Sequence, residues 1–274
     1  MPIRHYQRPK DLAAAQAALR QPGAAPLMLG PRIPAEPFAA MDTAVDLRLL
    51  DLAYIREDGE GIHIGALTPL QDIAESSQLE SQAGGILPEA AGLAAHLGLR
   101  HLATLGGSLS WPDIAVVLLA LEAVVVAVSA QKRETPLADF QAAEGELILE
   151  VKFPVGVWRR FAQAGGALAR VARTPRDEAI VCAAAVVTKD TARVAVAGAS
   201  PQSIVRSSPI TRNQLTNNQL LSLVDAITSA AHPAGDYRAS AEYRKAMAGV
   251  LARRALSSLS SSSSLSSFSP ERST

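Results

Sequence analysis

The sequence predicts a folded α+β protein built of more than one unit, and three observations predict it. The chain has 274 residues, 48% of them hydrophobic and only 4% aromatic, enough for a large core and more than the roughly 100–200 residues of one domain. Its first half mixes alanine- and leucine-rich helical patterns with short apolar strand patterns. Its last third places strands close together and then two amphipathic helices, the order expected of an antiparallel sheet under a helical layer.

In chain order, residues 11–20 read as a helix with Leu12, Ala15 and Leu19 on one face, stopped by Pro22-Gly23. Gly61 to Thr68 alternates Ile62 and Ile64 with His63, a half-buried strand that turns His63 to solvent. Pro69 starts a helix through Ala74 with Thr68 as N-cap. A helix over 87–97 carries Ala90, Ala91, Ala94 and Ala95, small enough for close packing. Another runs from about Asp113 to Glu122. The apolar run 123–130 reads as a strand buried on both faces. After Pro136 and a short helix, Leu147, Leu149, Val151 and Phe153 alternate with Glu150 and Lys152 in a second strand. A third unit opens with a strand over 158–163, adds strands over 180–188 and 193–199 across the turn Lys189-Asp190, and ends in helices over 215–231 and 239–256. The serine run 257–274 buries too little apolar surface to fold and reads as disordered.

Composition excludes several function classes. The 26 basic and 26 acidic residues cancel, leaving no basic excess to recruit nucleic acid or an anionic membrane. Cys182 is the only cysteine, so this chain alone forms no disulfide, no Cys-ligated iron–sulfur cluster and no zinc site. It lies in an apolar run and reads as a buried small hydrophobe. The N-terminal residues 1–10 lack a signal-peptide core, and no stretch reaches the ~20 apolar residues of a membrane span. A cytoplasmic location follows as the expectation.

The candidate site is Thr104-Leu105-Gly106-Gly107-Ser108-Leu109, between two apolar stretches. Adjacent glycines permit positive φ and close ligand approach, and successive amides with a following helix N-terminus suit an anion such as a pyrophosphate. A plain turn is the alternative.

The run from Arg100 through Leu109, followed by Leu118-Leu119-Ala120-Leu121-Glu122-Ala123, resembles the second flavin loop of the FAD-binding subunit of molybdenum hydroxylases, the xanthine dehydrogenase and carbon monoxide dehydrogenase type. The runs Gly61 to Thr68 and Asp236 to Arg244 also resemble that family, and the likeness spans roughly 2–256. It implies a two-subdomain FAD-binding domain of the molybdopterin-dehydrogenase type (1–54 and 55–156) and a flavoprotein C-terminal domain (157–256). It further implies FAD as cofactor, with a molybdopterin-binding large subunit and a 2Fe-2S small subunit as partners. No catalytic acid–base residue and no metal ligand is expected in this chain.

The residues carried over are all binding residues. Gly106, Gly107 and Ser108 would meet the pyrophosphate, with Thr104 and Asp113 as side-chain partners. Gly30 and Arg32 stand where the family has its first flavin loop, and Pro31 replaces a glycine there, removing an amide donor. Arg32 would grip phosphate in compensation, or is a surface charge. After Leu109 the segment is about four residues short of the family's, leaving Asp113 to match its aspartate and Trp111 to cover a ligand or pack. Arg173 to Ala179 is a loose version of a loop bearing Asp177, with Glu178 at the usually aromatic position. The alternative implication is a flavin-free structural or assembly subunit of the same fold.

Overall fold

A computed structural model describes residues 3–27, 30–31, 42–129, 131–143, 145–210 and 215–262; Arg32, most of the first loop and the tail beyond Ser262 lie outside them. The N-terminal unit comprises β1 (His5–Gln7), α1 (Leu12–Leu19), β2 (Ala24–Pro26) and β3 (Thr43–Val45), a parallel sheet in the order β1-β3-β2. Asp11 caps α1 by accepting the Ala14 N–H at 2.8 Å. Just after β3, the buried Asp46 accepts from the backbone N–H and guanidinium of Arg48 and from the Tyr6 hydroxyl, and the arginine holds its carboxyl well below the usual range.

The second unit runs β4 (Ile55–Asp58), β5 (Gly61–Gly65), α2 (Leu70–Ala74), α3 (Ser77–Glu80), α4 (Ile86–Leu93), α5 (Leu97–Arg100), α6 (Pro112–Ala120), β6 (Val124–Val128), β7 (Lys132–Pro136) and β8 (Leu147–Pro154). Its antiparallel sheet has the order β4-β5-β8-β6-β7. Ile62, Ile64, Val151 and Phe153 share one core with the helices. The edge strand β7 escapes the sequence reading because Lys-Arg-Glu-Thr-Pro carries the charges that keep an edge from pairing further. The β8 alternation breaks where Val126 pairs with Glu150 and Ala127 with Ile148, a bulge at Leu149. Such a bulge re-aims side chains: Leu147 joins the N-terminal core, and Ile148 borders the cleft described below. His63 does not face solvent as expected. It is 4% exposed, with Nδ1 3.1 Å from Glu150 and Nε2 3.2 Å from Asp58, because charged neighbours on β4 and β8 close over it.

The third unit opens with α7 (Val155–Phe161), where a strand was expected; Trp158 and Phe161, three apart, both turn inward, a helical period. Then come β9 (Gly165–Val171), β10 (Val181–Val187), β11 (Thr191–Ala197), β12 (Ile204–Pro209), α8 (Asn217–Ala230) and α9 (Ala241–Ser262). The antiparallel order is β12-β11-β10-β9. Every residue of β10 is buried because both faces are covered. Cys182, Ala184 and Val186 join the core containing α6, while Val181, Ala183 and Ala185 join that of α8 and α9. Burial pushes the Cys182 thiol well up, consistent with an inert packing role. Thr216 and Gln219 form a reciprocal capping box at the start of α8. Helix α9 runs through Ser262, six residues into the segment expected to be disordered, because Leu256 and Leu259 still pack on the sheet.

Candidate functional site

The glycine loop hangs on the central sheet by backbone bonds. The Leu70 N–H donates to Ala103 O (2.9 Å), Leu105 N–H to Thr68 O (2.9 Å) and Gly106 N–H to Ala66 O (2.8 Å); Ala66 N–H in turn donates to the bulged Leu149 (2.8 Å). Gly106–Ser108 then makes one 3₁₀ turn, and neither glycine takes a positive φ. The pair serves close approach instead. A Cβ on Gly106 would stand 3.0 Å from Ala66 O, and one on Gly30 would stand 2.4 Å from Gly107 O. Gly30 and the second loop, distant in sequence, are thus in backbone contact.

The loop amides have internal partners. Ser108 N–H donates to Leu105 O (2.9 Å) and its hydroxyl to Thr104 O (2.6 Å), while Gly107 N–H reaches only the Thr104 hydroxyl at a long 3.3 Å. Gly107 is therefore the amide most readily given to a ligand. Arg100, just upstream, is buried and donates to Gln71 Oε1 (2.9 Å), Gly92 O (3.0 Å) and Ala95 O (3.1 Å), capping the end of α4. Replacing it with alanine would strand Gln71 Oε1 and Ala95 O, Gly92 O keeping its bond from Arg176; we expect a loss of about 2–3 kcal/mol in urea unfolding, unrescued by lysine, which lacks the fork.

Asp113 does not border the cleft. Its carboxylate is fully buried on the face of α6 turned to β9, where Arg170 grips it at 2.9 and 3.4 Å. The same guanidinium donates to the carbonyls of Pro175 and Asp177. Burial pushes the Asp113 carboxyl up, with Arg170 pulling back. The Asp177 side chain pairs with Arg173 at 3.4 Å, and Glu178 with Arg238 at 3.5 Å. The sequence reading missed Arg170; its signal is a lone cation in an otherwise apolar strand. Trp111 is buried beside the cleft, its Nε1 without a hydrogen-bond partner.

Between α6 and the C-terminal sheet lies a cleft of about 880 Å³. Gly106, Ser110 and Pro112 border it on the loop side, Phe140 and Ile148 on a second, and Ser200 to Ser203 on the third. The last wall is positioned by Gly198, at φ +81° with Ile180 O where a Cβ would stand, and by Arg244, which donates to Ile180 O (2.8 Å) and Gly198 O (3.2 Å). Asp236 fixes Arg244 at 2.8 Å, and that bond holds the aspartate well below its usual range.

Residues 2–156 match the family model described as "FAD binding domain in molybdopterin dehydrogenase". The chain belongs to this FAD-binding family. Residues 167–259 match the CO dehydrogenase flavoprotein C-terminal domain. The chain is 29% identical to the carbon monoxide dehydrogenase medium chain of Hydrogenophaga pseudoflava, over 92% of this chain and 95% of the relative. It is 33% identical to the 6-hydroxypseudooxynicotine dehydrogenase complex subunit alpha of Paenarthrobacter nicotinovorans, over 76% of each. The structure superposes on reconstituted CO dehydrogenase from Oligotropha carboxidovorans with a TM-score of 0.84 at 26% identity, covering 95% of this chain and 98% of that one. The flavoprotein fold expected from the second loop is thereby shown. Among the described residues no helix is long and apolar enough to cross a membrane, and no group of His, Cys, Asp or Glu could hold a metal.

The chain's residues fit the family's cofactor at the point of tightest geometry. Only glycine at 30 lets the first loop lie on the Gly107 carbonyl, and the cleft beside Gly106 falls within the ~300–1,000 Å³ of small-molecule sites.

Proposed function

We propose that this chain is the FAD-binding, electron-transferring subunit of a molybdenum-containing dehydrogenase, working with a molybdopterin-binding large subunit and a 2Fe-2S small subunit. The contact of Gly30 with Gly107 O carries this reading, because a loop pair so close serves to bring backbone amides to one ligand. The relatives' own designations, a medium chain and a complex subunit, support the division of labour. Bound FAD would supply the redox chemistry; the chain binds, orients and shields it. Gly30, Gly106, Gly107 and Ser108 cradle the pyrophosphate, Thr104 yields the Gly107 amide, and Arg32 adds charge from the first loop. Asp113 and Asp177 act at one remove: Arg170 binds the Asp113 carboxylate and the Asp177 carbonyl, tying α6 to the loop 175–177.

Pro31 lacks an amide hydrogen and the Gly106 and Ser108 amides are internally bonded, which favours a flavin-free assembly subunit as the second reading. An absorption spectrum of the complex purified with its partner chains separates the two. We expect flavin bands and FAD in the heat-released fraction. A colourless protein that stays colourless after incubation with FAD would establish the assembly role instead.

A further inference from the structure

Phe140 is the one aromatic side chain bordering the cleft among the described residues. Aromatic residues are scarce in this chain, only 4%, and the neighbouring Phe153 and Phe161 are spent in the core. Phe140 is not: it belongs to none of the three apolar clusters, so packing does not account for it. Its position is nonetheless built. The Arg133 guanidinium lies over one face of the ring, 5.1 Å from its centre. That guanidinium is fixed in turn by both Glu146 oxygens (2.6 and 2.7 Å), the Thr135 hydroxyl (3.2 Å) and Gln141 O (2.8 Å). Glu146 also accepts the Ala143 N–H at 3.0 Å. The segment carrying Phe140 is therefore tied to Arg133 and Glu146 at Gln141 and Ala143, and the Arg133 charge is balanced by a carboxylate. Ile148 and Leu137 add apolar side chains to the cleft lining, and Ser110 and Ser200 add hydroxyls. A ligand with one planar apolar part and one phosphate-bearing part matches that mixed lining.

We infer that Phe140 is the aromatic contact for the ring system bound in the cleft, supplied from the loop after β7 and not from position 178, where Glu178 is instead committed to Arg238. The ring's orientation costs less on binding because Arg133 already covers one of its faces. This rests on the flavin reading above. Offset stacking of two aromatic systems is worth up to about a tenfold change in affinity, and it quenches the emission of a stacked flavin.

The test titrates FAD into the full-length wild-type chain, Phe140→Ala, Phe140→Tyr and Phe140→Leu, following flavin emission and thermal midpoint together. Phe140→Ala and Phe140→Leu are expected to bind about tenfold more weakly, with a bright bound flavin and a thermal midpoint near wild type; Phe140→Tyr is expected to restore affinity and quenching. Wild-type affinity and quenching in Phe140→Ala would overturn the inference alone. So would rescue by leucine as complete as by tyrosine, which would make the position merely apolar. A wild-type chain that takes up no FAD would overturn the flavin reading and this inference with it.

Discussion

Gly30→Ala will leave the chain folded and lower its affinity for FAD about 100-fold. The added Cβ would stand 2.4 Å from Gly107 O, against roughly 3.3 Å for an ordinary carbon–oxygen approach. Both atoms belong to backbone, so one loop must retreat by about 1 Å, and a displacement of that size in a positioned site typically costs two orders of magnitude. The thermal midpoint should move little, because Gly30 belongs to none of the apolar clusters. Calorimetric titration with FAD checks the affinity. Unchanged binding would show that the loop contact plays no part in holding the cofactor.

Arg170→Ala will cost about 3–5 kcal/mol, the usual consequence of leaving one member of a buried ion pair alone. Asp113 has no exposed side-chain surface and Arg170 is its ionic partner across the seam between the FAD-binding half and the C-terminal sheet. The same arginine holds two carbonyls of the loop 175–177, so its loss loosens that loop as well. Urea unfolding measures the loss, with a thermal midpoint lowered on the order of 10 °C. The pair Asp113→Asn with Arg170→Gln should recover most of it, since no uncompensated charge remains. The sign with pH is set by Asp113, whose carboxyl is pushed up by burial. Without Arg170 the ionised form is penalised further, so the deficit is largest at neutral pH and shrinks as pH falls toward the unfolded value of about 3.9. A deficit below 1 kcal/mol, flat with pH, would show that the two halves are not coupled through this pair.

Where the flavin loop would be found was legible in the residues, but what its parts do was not. The Thr104–Leu109 run was readable because a glycine pair between apolar segments is local chemistry. That Gly106 exists for Ala66 and Gly30 for Gly107, with no positive φ at either glycine of the pair, depends on contacts between distant segments. Asp113 reads in sequence as a side chain offered to a ligand, yet α6 presents residues 112, 115 and 119 to the cleft and turns Asp113 toward β9. His63 shows the same limit: alternation placed it opposite Ile62 and Ile64, correctly, but could not show that Glu150 and Asp58 bury it.

By itself the sequence determined the class of the fold, the third unit's helices and the glycine loop, because these follow from periodicity, caps and motif within a few residues of one another. Tertiary structure alone decided that Gly30 meets Gly107, that Arg170 neutralises Asp113, that the Leu149 bulge sends Ile148 into the cleft, and that Phe140 stands ready at its edge. Each of these is a contact between separate elements, fixed by packing and register that no short window of sequence encodes.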